Sequence, residues 1–113
     1  MRVLVVEDEL LLSMSLEDML GDFGCEVVGP AASIAEALTL ATDAQIDVAV
    51  LDMNLDSQPV FPVADALKAR GVPYVFASGY GQSGLSDAHH DAPLLQKPFR
   101  QADLEQALIG LKP

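Results

Sequence analysis

At 113 residues the chain has room for one domain with a single sizeable core, and half of its residues are apolar, which excludes a largely disordered polymer. Its formal net charge of −11 excludes a nucleic-acid surface, because nothing of that sign releases counterions from a phosphate backbone. No apolar stretch approaches the roughly 20 residues that span a bilayer, and Met1 runs straight into an apolar run with no room for a basic leader, so a cytoplasmic location without membrane insertion is expected.

Val3 to Val6 reads as a strand that opens into the acidic run Glu7-Asp8-Glu9. Leu10, Leu11, Met14, Met19, Leu20 and Phe23 then recur at helical spacing until Gly24 offers a stop. Glu9 suits the cap or first turn of that helix, where acids are favoured. Cys25 to Gly29 is a short second strand ended by Pro30. Cys25 is the lone cysteine, so no intramolecular disulfide can form, and beside Val27 and Val28 it reads as a small buried hydrophobe.

Ser33-Ile34-Ala35-Glu36 has capping-box form and opens a second helix through Ala37, Leu38, Leu40 and Ala41. A third strand, Ile46 to Leu51, ends in Asp52. A third helix is expected from Val60 to Ala69, with its stop at Gly71. The fourth strand, Val72 to Ala77, ends in Ser78-Gly79. Gly79, Gly81, Gly84 and Pro93 then crowd together, so the fourth helix is expected to be short or mobile. His89 and His90 lie there, and adjacent histidines on a helix point in different directions, which disfavours a shared metal site. Leu94-Leu95-Gln96 is a fifth strand ending in Lys97-Pro98. The last helix runs from Gln101 to Leu111, with Leu104, Ala107, Leu108 and Leu111 on one face.

Strands that alternate with helices in this way make repeated βα units with right-handed crossovers. The expected architecture is α/β: a flavodoxin-like, doubly wound, five-stranded parallel sheet of order 2-1-3-4-5 with helices on both faces. The second strand is the least apolar and suits an edge. No repeat or linker is legible, so residues 1–113 are expected to form one domain without an output domain.

Parallel strands place their carboxyl ends along one edge, where sites form in open α/β sheets. That edge gathers Glu7, Asp8 and Asp52, the Ser78 hydroxyl and the Lys97 ammonium. Three crowded carboxylates are costly unless protonated or neutralised, and a hard divalent cation such as Mg²⁺ is the natural solution. A carboxylate can accept a phosphoryl group to form an aspartyl phosphate, which makes Asp52 a candidate nucleophile. Lys97 and a metal on either side would stabilise the transferred group's spread charge. The Ser78 hydroxyl could donate to it, with Gly79 admitting close backbone approach. The bland alternatives are helix-capping acids, a turn serine and a surface lysine. Each assignment alone is weak, and the ordered set is what carries the reading.

Over nearly its whole length the chain resembles a response-regulator receiver domain of two-component signalling. The resemblance rests on Glu7-Asp8, Asp52, Ser78 and Lys97-Pro98-Phe99 at successive strand ends. It implies that Asp52 is the phosphoacceptor, taking phosphate from a histidine kinase or a histidine phosphotransfer protein. It also implies Mg²⁺ held by Asp8, Asp52 and the Asn54 backbone carbonyl, with Glu7 acting through water and with Ser78 and Lys97 on the phosphoryl group. The Lys97-Pro98 peptide matches one that is cis in the family, and X-Pro is the one sequence type for which cis is cheap.

Two positions depart from the family pattern. Glu7 stands where Asp is usual, and Leu94 stands where a fifth-strand aromatic usually serves as the switch. The run Phe76-Ala77-Ser78-Gly79-Tyr80 is similar to the Phe-Ala-Thr-Gly-Tyr run of a subgroup lacking that aromatic, with Ser in place of Thr. The expectation is that Tyr80 and the segment after it switch instead. The resulting reading is a signalling phosphoprotein that controls a protein partner or acts as a phosphate sink, with no turnover of an external metabolite. Two other readings stand beside it: a receiver-like interaction module that is never phosphorylated, and a haloacid-dehalogenase-type phosphatase. The phosphatase would want an acid two residues after its nucleophile, where this chain has Asn54.

Overall fold

The computed structural model describes residues 1–55, 58–78 and 93–111. In chain order these form β1 (Arg2–Val6), α1 (Leu10–Asp22), β2 (Glu26–Ala31), α2 (Ile34–Asp43), β3 (Val48–Asp52) and a two-residue pair, β4 (Asn54–Leu55) and β5 (Gln58–Pro59). They continue with α3 (Phe61–Ala69), β6 (Tyr74–Ser78), β7 (Leu94–Gln96) and α4 (Gln101–Leu111). The main sheet is parallel in the order β2-β1-β3-β6-β7, which is 2-1-3-4-5 when its five strands are counted alone. The expected doubly wound fold is therefore present. The short or mobile helix expected after Ser78 falls outside the described residues, as do Gly79, Tyr80, His89 and His90.

Period-2 alternation assigns the strand residues to two cores. Leu4, Val6, Ala49, Leu51 and Phe76 pack with Ala37 and Ala41 of α2 and with Val63, Ala64 and Leu67 of α3. Val3, Val5, Val48, Val50, Val75 and Leu95 face the other way, onto Leu16 and Leu20 of α1 and Leu104 and Leu108 of α4. The central strands are buried on both sides, which explains their continuous apolar runs. Phe76 is held edge-on between Phe61, at 5.7 Å, and Tyr74, at 5.3 Å.

Three local expectations change. Pro30 does not end the second strand: β2 continues to Ala31. This strand is the sheet's edge, where a missing N–H costs no ladder bond. The pairing moves from Leu4↔Val28 to Val6↔Ala31, so β2 carries one extra residue there. Second, Glu9 sits at the N-cap of α1, but its side chain makes no capping hydrogen bond. Third, Cys25 is only partly buried, against the α1/α4 core. The inner face of α1 is Ser13, Leu16 and Leu20, whereas Leu10, Leu11 and Met14 are 71%, 76% and 52% exposed.

The capping box is present in modified form. Ser33 accepts the Glu36 N–H at 3.2 Å, while Glu36 reaches back to the Ala32 N–H at 2.8 Å, one residue beyond the cap. At the other end of α2, the Arg70 guanidinium donates to the Ala41 carbonyl at 2.6 Å, placing a cation at the negative end of the helix.

Gly29 has φ +99, and a Cβ there would lie 2.8 Å from the Ala31 nitrogen and 3.1 Å from the Val5 carbonyl oxygen. Replacing Gly29 by Ala is expected to cost about 1–3 kcal/mol in urea denaturation. Gly21→Ala, in open space on α1, is expected to add about 0.5–1 kcal/mol. Equal effects at the two sites would contradict this account of the bulge.

Candidate functional site

The carboxyl edge of the sheet assembles the residues that the sequence singles out. Glu7 leaves β1, Asp52 ends β3, Ser78 ends β6 and Lys97 follows β7. Asp52 pairs in register with Ala77, which puts Ser78 one step beyond it on the neighbouring strand. The Lys97 N–H donates to the Ser78 carbonyl at 2.8 Å and extends the β6–β7 pairing to the lysine itself. The Lys97-Pro98 peptide is cis, as the resemblance implies.

The chain leaves the buried sheet between the two acids after β1, which separates them. Glu7 is 3% exposed, while Asp8 lies at the surface. The Glu7 N–H donates to the Ala31 carbonyl at 2.9 Å, so the bulged end of β2 fixes this position. One Glu7 oxygen accepts the Glu9 N–H at 3.1 Å and the other accepts Lys97 Nζ at 3.1 Å. The same Nζ donates to Asp52 Oδ1 at 3.0 Å, so a single ammonium ties β1, β3 and β7 together.

Glu7, Asp8 and Asp52 each present a carboxylate oxygen within 4.8 Å of the others, among the described residues. Two of these carboxylates are buried, and two oxygen donors beside a solvent-facing third is a set that suits a hard divalent cation. Burial pushes the Glu7 carboxyl up to about 7; the Glu9 N–H and Lys97 oppose that shift and the Asp52 charge adds to it. Burial also raises Asp52, with Lys97 pulling the other way. Burial works against the Lys97 ammonium, yet its hydrogen bonds to Asp52 and Glu7 outweigh that and hold its pKa above the ordinary value.

Ser78 is 3% exposed at this edge. Leu94 pairs with Phe76 and packs half-buried against the α2/α3 core. Gly79 and Tyr80 fall outside the described residues, as does the side chain of Asn54. Sequence reasoning missed two features of the site's surroundings. One is the β4–β5 pair directly after Asp52, whose two-residue strands are too short for a periodic signal. The other is the exposure of Leu10, Leu11 and Met14 at the start of α1, since helical spacing shows that they lie on a helix without saying which of its faces is buried. The spacing Ser13, Leu16, Leu20 identifies the true inner face, and it was obscured because its first member is polar.

A family model for the response regulator receiver domain matches residues 3–109. The solution structure of SdrG from Sphingomonas melonis Fr1 is 42% identical and superposes with a TM-score of 0.86, covering 97% of this chain and 94% of that one. A BeF3-activated conformation of SdrG from Pseudomonas melonis Fr1 is 41% identical, with a TM-score of 0.81 over the same shares. The transcriptional regulatory protein PdtaR of Mycobacterium tuberculosis (strain H37Rv) is 32% identical over 111 residues, or 95% of this chain and 54% of that protein. The chain thus spans about half the length of this curated relative.

Because the Glu7 carboxyl is raised, its proton stabilises the fold at low pH, and that contribution is lost as pH rises through about 7. Asp52 shifts in the same direction. Without metal, the melting temperature is expected to fall between the ordinary glutamate range and about pH 7, and Glu7→Gln should flatten that fall. Millimolar MgCl2 should restore the melting temperature at the upper pH, since a bound cation replaces the proton. A wild-type slope retained in Glu7→Gln would contradict the assignment.

Proposed function

The chain belongs to the response regulator receiver domain family, and from that premise we propose that it is a signalling domain phosphorylated on Asp52. The observation that carries this reading is the Lys97 ammonium bridging Asp52 and Glu7 beside the three-carboxylate cluster. In the proposed reaction a carboxylate oxygen of Asp52 attacks the phosphorus of a phosphohistidine. The P–N bond breaks, its electron pair stays on the imidazole, and an acyl phosphate forms on Asp52. The donor is a histidine kinase or a histidine phosphotransfer protein.

Lys97 acts in two ways. Its charge favours the ionised form of Asp52, which a nucleophile requires, and it can then follow the charge onto the phosphoryl oxygens. Ser78, fixed by the backbone bond between its carbonyl and Lys97, supplies a hydroxyl to the same group. Asp8 and Asp52, with the Asn54 carbonyl, would hold Mg²⁺, and Glu7 would act on it through water. The cation would supply positive charge where the phosphoryl oxygens gather. The BeF3-activated conformation of SdrG supports a comparable activation here. We assign the switch to Ser78, Gly79, Tyr80 and the segment that follows. Leu94 packs as an aliphatic core residue and offers no ring to rotate.

Leu10, Leu11 and Met14 form the docking ground for the phosphodonor in this reading. They are large, apolar, exposed and three to seven residues beyond Glu7. Exposed apolar side chains grouped beside a reactive edge suit an apolar helix face on a partner.

Intact-protein mass spectrometry after incubation with Mg²⁺ and acetyl phosphate tests the chemistry. One added phosphate is expected on wild type and none on Asp52→Asn. No adduct, together with no beryllofluoride-dependent NMR shifts, would favour a non-phosphorylated interaction module. Leu11→Lys should leave the acetyl phosphate adduct intact and slow transfer from a phosphohistidine donor about tenfold. Equal loss with both donors would remove the docking assignment.

A further inference from the structure

The backbone after Asp52 is pinned on both sides by a feature that the phosphorylation chemistry does not by itself require. The Met53 N–H donates to the Ala77 carbonyl at 3.1 Å, and the Met53 carbonyl accepts the Val60 N–H at 2.9 Å. β4 and β5 then pair antiparallel, Asn54 opposite Pro59 and Leu55 opposite Gln58. Proline has no N–H to give, so Asn54 and Pro59 form the non-hydrogen-bonded pair of the ladder, with the Val60–Met53 bond as the flanking rung. Leu55 and Gln58 are therefore the hydrogen-bonded pair. A residue in a non-hydrogen-bonded position turns its own N–H and C=O away from the partner strand. The Asn54 carbonyl is thereby kept out of the ladder.

The residues flanking Asn54 are both anchored. Met53 is 2% exposed with its backbone engaged on both sides, and Leu55 is fully buried in the α2/α3 core. Gln58 and Pro59 contribute no burial, since both are exposed. What they contribute is the ladder alone.

We propose that the β4–β5 pair is a positioning device that holds the Asn54 carbonyl as a ligand for a small divalent cation, with Gln58 as its key residue. The proposal rests on the metal site described under the proposed function. Its physical basis is that Mg²⁺ requires near-ideal octahedral geometry at short distance, whereas Ca²⁺ accepts loose and variable coordination. A carbonyl clamped between two anchored residues favours the first cation over the second. Loosening the clamp therefore reduces selectivity as well as affinity.

The test is calorimetric titration of the whole protein with MgCl2 and, separately, CaCl2, alongside metal-free thermal melts. Gln58→Pro deletes the N–H of the Leu55–Gln58 pair at an exposed position. It is expected to weaken Mg²⁺ binding about tenfold, the usual scale for removing a group that orients a ligand. Ca²⁺ affinity should change much less, so the Mg²⁺/Ca²⁺ ratio falls. Gln58→Val keeps the N–H and should bind both ions as wild type does. Gln58→Gly loosens the strand while keeping the N–H, and it serves as a second variant should the proline fail to fold; it should fall between the two. Wild-type Mg²⁺ affinity in both Gln58→Pro and Gln58→Gly, or a parallel loss of Mg²⁺ and Ca²⁺, would overturn the proposal. Absence of Mg²⁺ binding by wild type would instead overturn the metal site itself.

Discussion

A single ammonium, Lys97 Nζ, lies within 3.1 Å of two buried carboxylates that come from neighbouring strands of the sheet. Without it, Glu7 and Asp52 would face each other, with Asp8 nearby, in a partly desolvated edge where like charges are expensive. Its hydrogen bonds satisfy one oxygen on each acid, and the Glu9 N–H takes the second oxygen of Glu7. Burial above all, with the Asp52 charge adding to it, pushes the Glu7 carboxyl up to about 7, so that a proton there relieves both costs. The Lys97 ammonium is thus the one fixed positive charge that the described residues place between these acids.

That arrangement depends on the sheet. β1 and β3 are adjacent, so Glu7 and Asp52 emerge side by side, and β6 separates β3 from β7. Lys97 therefore reaches across Ser78 to Asp52. The two apolar cores clamp these strands from both faces, leaving their carboxyl ends as the exit point for polar groups. Small backbone devices then set individual atoms. The bulge at Gly29 supplies the Ala31 carbonyl to Glu7, and the Lys97 N–H bond to Ser78 carries the lysine to the edge.

The apolar side chains at the start of α1 are the clearest place where composition and burial diverge. Leu10, Leu11 and Met14 contribute little to either core, yet they are large, apolar and exposed. Such residues oppose solubility unless something covers them. The strong net negative charge offsets that liability by keeping copies of the chain apart.

The sequence by itself determined the strand runs, the doubly wound order, the edge position of β2 and the identity of the acids, serine and lysine at the strand ends. These were legible because apolar periodicity and strand-end chemistry are local patterns whose consequences follow from the fold rules. Val3 to Val6 and Val48 to Leu51 could be little else, and Gln101–Leu111 matched its helix end to end. Other features depended on partners distant in sequence. That Glu7 is buried while Asp8 is exposed, and that Lys97 joins Glu7 to Asp52, follows from strands more than forty residues apart meeting at one edge. That Leu10, Leu11 and Met14 face solvent followed from the rotation of α1, which the sheet beneath it fixes. The β4–β5 pair carries no periodic signal and exists because Met53 and Leu55 are anchored from outside it. Local pattern fixed what each segment is. Only tertiary packing decided which side chains share charge, because electrostatic coupling and burial depend on distances that no single segment contains.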